Sequence, residues 1–179
     1  MKEKRSTQPG DVIKYCPKCG SEEFIFDGSR SFKCNKCKFH FFINSSAAVA
    51  AVIVNEKGEV LLTRRAFDPG KGMLDLPGGF VDPMESAEMA VRREIKEELN
   101  LDIDDMNYLV SYPNEYVFSG FSVYTTDLGF LCKVKNFEQM HVEDDISGYE
   151  FVKEKEIDYE QISSDSIANI LKSYFQTQI

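Results

Sequence analysis

The sequence holds no run of eighteen or more apolar residues, the least that a membrane-crossing helix needs. Its opening stretch, MKEKRSTQPGD, lacks the apolar segment of a secretory leader. These absences predict a cytoplasmic protein with no membrane partner, in a compartment where thiols stay reduced. Basic residues are in deficit. There are 21 Lys plus Arg against 30 Asp plus Glu, giving a net charge of −9 and a pI of about 4.8. That balance disfavours nucleic acid as a general partner, because phosphate contacts need clustered cations. The rest is ordinary: 179 residues, 42% hydrophobic and 28% charged, suit one domain or one domain with a small appendage. Disorder, collagen and coiled coil are excluded by the same figures.

The charge is unevenly placed. Residues 1–46 carry nine basic and five acidic side chains, a net of +4, and residues 47–179 carry a net of −13. Such asymmetry predicts two units with different roles, divided there.

Four of the five cysteines form two pairs, Cys16-Pro17-Lys18-Cys19 and Cys34-Asn35-Lys36-Cys37. Each pair sets two sulfurs on one tight turn, and two such turns make a tetrahedral thiolate cage for one structural Zn²⁺. Reduced core cysteines or a redox pair are the other readings, and two paired turns so close together favour zinc. His40 is a spare ligand that a four-thiolate site does not need. Metallation adds two negative charges net, which brings the unit to about +2 and weakens a nucleic-acid role for it. Strands are expected at 23–26 and 31–33 around the Asp27-Gly28 turn, with Gly20 at positive φ. Phe24, Phe26, Phe32, Phe39, Phe41 and Phe42 read as a small core. Cys132, in an apolar run, reads as a buried strand residue.

Beyond residue 46 the pattern predicts a hairpin of strands 47–54 and 60–63 around a turn at 55–58. A loop-rich stretch with Pro69, Gly70, Gly72, Pro77, Gly78 and Gly79 follows. Next come a helix over 86–99, strands at 102–111, 122–134 and 147–152, and a helix over 164–176 capped by Ser164. The last helix carries an apolar stripe of Ile167, Ile170, Leu171 and Tyr174.

The helix over 86–99 holds the chemistry. Each residue advances about 100°, so Ala87, Val91, Ile95 and Leu99 form one apolar stripe. Glu94 falls about 60° and Glu98 only about 20° from Val91, which directs Glu98 toward the apolar face. Carboxylates crowded there with Glu97 need a positive partner. Arg93 projects away from Glu98 and cannot be the whole partner, so a divalent metal is the natural counter-charge, and oxygen ligands suit Mg²⁺ or Mn²⁺. The preceding Leu76-Pro77-Gly78-Gly79-Phe80 lets backbone approach a ligand closely.

Gly79, five residues, Glu85, seven residues, then Arg93-Glu94-Ile95-Lys96-Glu97-Glu98-Leu99-Asn100-Leu101 resembles the Nudix box. One position departs: Asn100 stands where the family has Gly, and Asn tolerates the left-handed conformation such a residue needs. The resemblance covers roughly residues 47–176 and implies an α/β fold, an α/β/α sandwich with a mixed sheet, here preceded by a small zinc ribbon. It implies Glu94, Glu97 and Glu98 as Mg²⁺ ligands with the Gly79 carbonyl, Arg93 as the residue orienting a box glutamate, and Glu85 as a loop–helix brace. The proton acceptor varies within the family between Glu97 and a later acid. Both stay open here: Glu97 on the helix, and Asp145 as an outside candidate for the later acid, with a solvated acidic turn as the alternative for it.

A zinc ribbon before such a domain is similar to the NADH pyrophosphatase group, whose signature Ser-Gln-Pro-Trp-Pro-Phe-Pro-x-Ser follows the box. Ser111-Tyr112-Pro113-Asn114-Glu115-Tyr116-Val117-Phe118-Ser119 stands at the matching distance and keeps Ser111, Pro113 and Ser119 but not the Trp. Tyr112, Tyr116 and Phe118 are candidates for stacking a base, or are strand-edge aromatics. The resemblance therefore implies Mg²⁺-dependent hydrolysis of a nucleoside diphosphate derivative (NADH, ADP-ribose, FAD or similar) to AMP and a second phosphate, by a homodimer. The other readings are removal of a dinucleotide cap from RNA, and a metabolite-sensing or nucleic-acid-associated regulatory protein on the same fold.

Overall fold

The computed structural model describes residues 6–143 and 146–177. The chain runs through α1 (Pro9–Val12), β1 (Phe24–Phe26), β2 (Ser31–Cys34), β3 (His40–Phe42), β4 (Ser46–Ile53), β5 (Val60–Arg65) and β6 (Leu74–Asp75). It continues through α2 (Ala87–Leu99), β7 (Ile103–Phe118), β8 (Phe121–Val134), β9 (Ile146–Val152) and α3 (Asp165–Gln176). Contacts divide it into one unit of Met1–Ser45 with Glu115–Tyr124 and another of Ser46–Asn114 with Thr125–Ile179. The tip of the β7–β8 hairpin thus groups with the N-terminal residues. Within that first unit, the Ser122 N–H donates to the Thr7 carbonyl at 2.8 Å and the Gln8 amide donates to Glu115 at 2.9 Å. Among the described residues no helix is long and apolar enough to cross a membrane.

In the first unit β1, β2 and β3 form an antiparallel sheet, with Phe24 opposite Cys34 and Lys33 opposite His40. Phe24 and Phe32 are buried and stack at 5.0 Å between ring centres. Phe41 and Phe42 are exposed, so they do not join the core expected of them. They lie on the edge strand β3, and Phe42 meets the His40 ring at 4.3 Å and the Arg30 guanidinium at 6.0 Å.

The second unit is layered by the alternation of β4. Val49, Ala51 and Ile53 face Ala90, Val91, Ile95 and Leu99 of α2, whereas Ala50 and Val52 face Ile167, Ala168, Ile170 and Leu171 of α3. Successive strand residues point to opposite faces, so one strand feeds both cores. Each fully buried Val, Leu or Ile contributes about 1.5–3 kcal/mol of transfer free energy. β4 pairs in parallel with β8, which also pairs with β7, and β5 pairs antiparallel with β6 and β9. Helices on both faces of mixed strands give the α/β/α sandwich. Cys132 is buried in β8.

The expected hairpin of 47–54 and 60–63 is corrected. The turn at 55–58 exists, with the Gly58 N–H donating to the Asn55 carbonyl at 3.0 Å, but only a bridge from Val54 to Val60 follows it. One edge of β4 pairs with β8 and the other takes bonds from 77–81, so β5 turns away to pair with β9. Strand β7 also runs beyond 111, through the segment aligned with the pyrophosphatase signature.

Residues 77–81 are held along β4 by Val49 N–H to Gly79 O at 2.8 Å, Ala51 N–H to Pro77 O at 2.9 Å and Val81 N–H to Ala47 O at 3.0 Å. Gly78 has φ +146°, and a Cβ there would collide with the Val49 carbonyl oxygen. Gly78→Ala is therefore expected to cost about 1–3 kcal/mol in backbone strain, plus the clash, read as a lower midpoint in urea unfolding.

Candidate active site

Helix α2 begins on Ser86, whose hydroxyl accepts from the Met89 N–H at 3.3 Å, and stops at Asn100, in the left-handed region at φ 51° and ψ 34°. Asn100 thus takes the conformation its side chain tolerates. Between these ends α2 presents Glu94, Glu97 and Glu98. Glu98 is half-buried, consistent with its place beside the apolar stripe, and its Oε2 accepts from the Gly78 N–H at 2.9 Å. This bond ties the helix to the glycine loop.

Arg93 gathers several acceptors at once, Glu97 among them as its neighbour one turn on. Its Nη1 donates to Glu94 at 2.8 Å and to Glu97 at 3.2 Å, and its Nε and Nη2 fork onto the two oxygens of Glu85 at 2.9 and 2.8 Å. Nη2 also donates to the Phe80 carbonyl at 3.0 Å. Much of the positive charge the glutamates need is therefore this guanidinium, whose five donors serve several acceptors at once. These bonds fit the orienting role that the resemblance implies for Arg93, and no bond from it to Glu98 is among them. Glu85 in turn accepts from the Asp82 N–H at 3.0 Å, which fastens the loop to the helix.

The carboxylates differ in character. Hydrogen bonds from Arg93 hold Glu85 below the ordinary glutamate value. Its ionised form stabilises the fold above pH 4.5, and that contribution is lost as the pH falls through the lowered value. Burial raises Glu94 against the pull of Arg93, with repulsion from Glu97 and Glu85 adding to the rise. Arg93 itself is held more firmly protonated by Glu85 and Glu94. Glu97 stays open to solvent, its side chain 61% exposed against 15% for Glu94. Gly79 sits so close that a Cβ on it would lie 2.5 Å from Glu94 Oε1.

The candidate stacking aromatics fall in two different units. The Tyr112 hydroxyl lies 2.9 Å from Ser173 Oγ and its ring packs against the α3 core, while Tyr116 and Phe118 belong to the first unit. Asp145 lies outside the described residues. Sequence reasoning missed the Gly78 amide as a partner of Glu98 and the Phe80 carbonyl as a partner of Arg93. Backbone groups carry no residue-type signal.

In the first unit the sulfurs of Cys16, Cys19, Cys34 and Cys37 all lie within 4.8 Å of one another. Each pair closes a turn, by Gly20 N–H to Cys16 O at 2.8 Å and Lys38 N–H to Cys34 O at 3.0 Å, and both donors have positive φ. The Cys37 N–H on Cys34 Sγ helps hold that thiol down at about 7, toward the thiolate a metal binds. His40 is engaged elsewhere, its Nε2 2.9 Å from Ser31 Oγ. Among the described residues this is the cluster of metal-binding side chains that stands ready assembled.

Residues 44–172 match the NUDIX domain model, and the chain belongs to that family. It is similar to a NAD-capped RNA hydrolase NudC of Stutzerimonas stutzeri, 30% identical over 109 residues that cover 59% of this chain and 39% of that protein. An ADP-ribose pyrophosphatase of Methanocaldococcus jannaschii is 42% identical over 64 residues, 36% of this chain and 37% of that one. The chain spans about two fifths or less of the length of these relatives. Among solved structures, a NUDIX hydrolase from Nitrosomonas europaea superposes with a TM-score of 0.69 at 24% identity, covering 93% of this chain and 92% of that one. The NUDIX domain of Shewanella oneidensis NrtR complexed with ADP ribose gives 0.63 at 17% identity, over 77% and 91%. These two likenesses show the fold.

Proposed function

We propose that this chain hydrolyses the pyrophosphate bond of a nucleoside diphosphate derivative, such as NADH, ADP-ribose or FAD, to AMP and a second phosphate. The observation that carries this reading is Glu94, Glu97 and Glu98 on one helix, tied to a glycine loop through Gly78. The donor set fits a hard divalent cation: every candidate ligand is an oxygen, and the bare Gly79 backbone lies against Glu94 where a Cβ would not fit. Glu94, Glu97, Glu98 and the Gly79 carbonyl would hold Mg²⁺ or Mn²⁺. When bound, such an ion neutralises the diphosphate and acidifies an attacking water. Arg93 keeps Glu94 and Glu97 together against their mutual repulsion, and Glu85 anchors Arg93. The four cysteines are proposed to hold one structural Zn²⁺ in a ribbon of residues 1–46, with the hydrolase domain at 47–179.

Similarity to proteins named ADP-ribose pyrophosphatase and NAD-capped RNA hydrolase supports a dinucleotide-type substrate. The net charge of −13 on residues 47–179 favours the free nucleotide over the capped RNA. A panel of NADH, NAD, ADP-ribose, FAD and NAD-capped RNA, incubated with Mg²⁺, tests the reading. Release of AMP from a small molecule supports it. Cleavage of the capped RNA alone would move the substrate to RNA, and tight binding without turnover would make the protein a sensor.

A further inference from the structure

Helix α2 stops at Asn100, and for the stop alone a glycine would serve as well, since the left-handed residue needs no side chain. The Asn100 side chain nevertheless has a partner far along the chain: its Nδ2 donates to the Gln139 carbonyl at 3.1 Å. The same carbonyl lies 3.1 Å from His141 Nδ1, and His141 Nε2 lies 2.8 Å from Glu143 Oε1. Two backbone amides of this loop complete the end of the helix. The His141 N–H donates to the Leu99 carbonyl at 3.2 Å, and the Glu143 N–H to the Glu98 carbonyl at 3.1 Å. Those carbonyls belong to the last turn, where no intrahelical donor exists. Phe137, Met140 and Val142 pack beneath, against the cluster that includes Ile95 and Leu99. Glu98 is consequently held at both ends, by the loop at its backbone and by Gly78 at its carboxylate.

We propose that Asn100 is a positioning residue for the glutamate site. By fastening Gln139 it keeps the loop 137–143 on the end of α2. The loop in turn fixes the turn that carries Glu97 and Glu98, so cation affinity depends on an amide that the helix stop does not require. The inference rests on the reading of Glu94, Glu97 and Glu98 as cation ligands.

Asn100→Gly tests it, because glycine keeps the left-handed stop and removes only the amide. The variant should fold with a melting temperature within a few degrees of wild type. The backbone amides of His141 and Glu143 should exchange with deuterium about tenfold faster, as expected when a local closing contact is lost. The dissociation constant for Mn²⁺ alone, by calorimetric titration, should rise about three- to tenfold, less than the roughly 10–100-fold typical of groups that bond a ligand directly. Asn100→Asp keeps size and left-handed tolerance but faces the Gln139 carbonyl with an acceptor, and should lose at least as much. Unchanged exchange at His141 and Glu143, or unchanged Mn²⁺ affinity, in Asn100→Gly overturns the positioning role. Wild-type protein that binds no Mn²⁺, or whose Mn²⁺ affinity survives Glu98→Gln, overturns the cation reading beneath it.

Discussion

Glu98→Gln is expected to reduce hydrolysis by roughly 10³-fold, since a metal-bound transition state draws several kcal/mol from the charge that holds the ion and each 1.4 kcal/mol is a decade. The substitution isolates charge. A glutamine oxygen still accepts from the Gly78 N–H, so the link between α2 and the glycine loop is retained. The side chain keeps its size at a half-buried position. Circular dichroism and thermal melting should therefore match wild type while kcat falls. Glu97→Gln makes a companion test, because its exposed pair with Arg93 adds no more than about 1 kcal/mol to stability. A near-normal rate in both variants would remove these carboxylates from the chemistry.

The second large effect is expected in the first unit. Cys34 is fully buried, and the core around it is Cys16, Phe24 and Phe32 with a few partly buried neighbours. A core that small does not hold some forty residues folded, and below about 40 residues a metal or disulfide is usually required. Structural zinc supplies roughly 10–16 kcal/mol in small metal domains. On the proposed zinc cage, Cys34→Ser should abolish zinc binding and unfold β1, β2 and β3 while α2, α3 and their strands stay folded. The hairpin tip Glu115–Tyr124 should lose amide protection with them, because its bonds run to Thr7 and Gln8. Hydrogen exchange by mass spectrometry reads both units at once. Full protection of residues 24–42 in a metal-free variant would contradict this account of the cage.

Legibility from sequence followed the range of the interactions. Helix ends depend on neighbours three or four residues apart, so the Ser164 cap and the left-handed Asn100 could be read directly, while Ser86, counted in the helix, is its cap. The position of Glu98 beside the apolar stripe follows from helix geometry alone. The pairing of β4 with β8 joins Val49 to Leu128, and no local pattern separates that from a hairpin with β5. The Arg93–Glu97 pair is local again, four residues apart on one helix, whereas the fork of Arg93 onto Glu85 joins the helix to the loop before it. Lys38 closes the second cysteine turn at φ 62°, a place where residue type suggested nothing.

Hydrolysis of a pyrophosphate bond at these glutamates leaves its mark on the products. The direct measurement is product analysis by mass spectrometry after incubating the protein with Mg²⁺ and ADP-ribose, NADH or FAD in ¹⁸O-labelled water. AMP and a second phosphate product are expected, with one ¹⁸O carried by one of them, and both products should be lost in Glu98→Gln. Intact nucleotides from every compound, or products that form equally well in Glu98→Gln, would contradict hydrolysis at these glutamates.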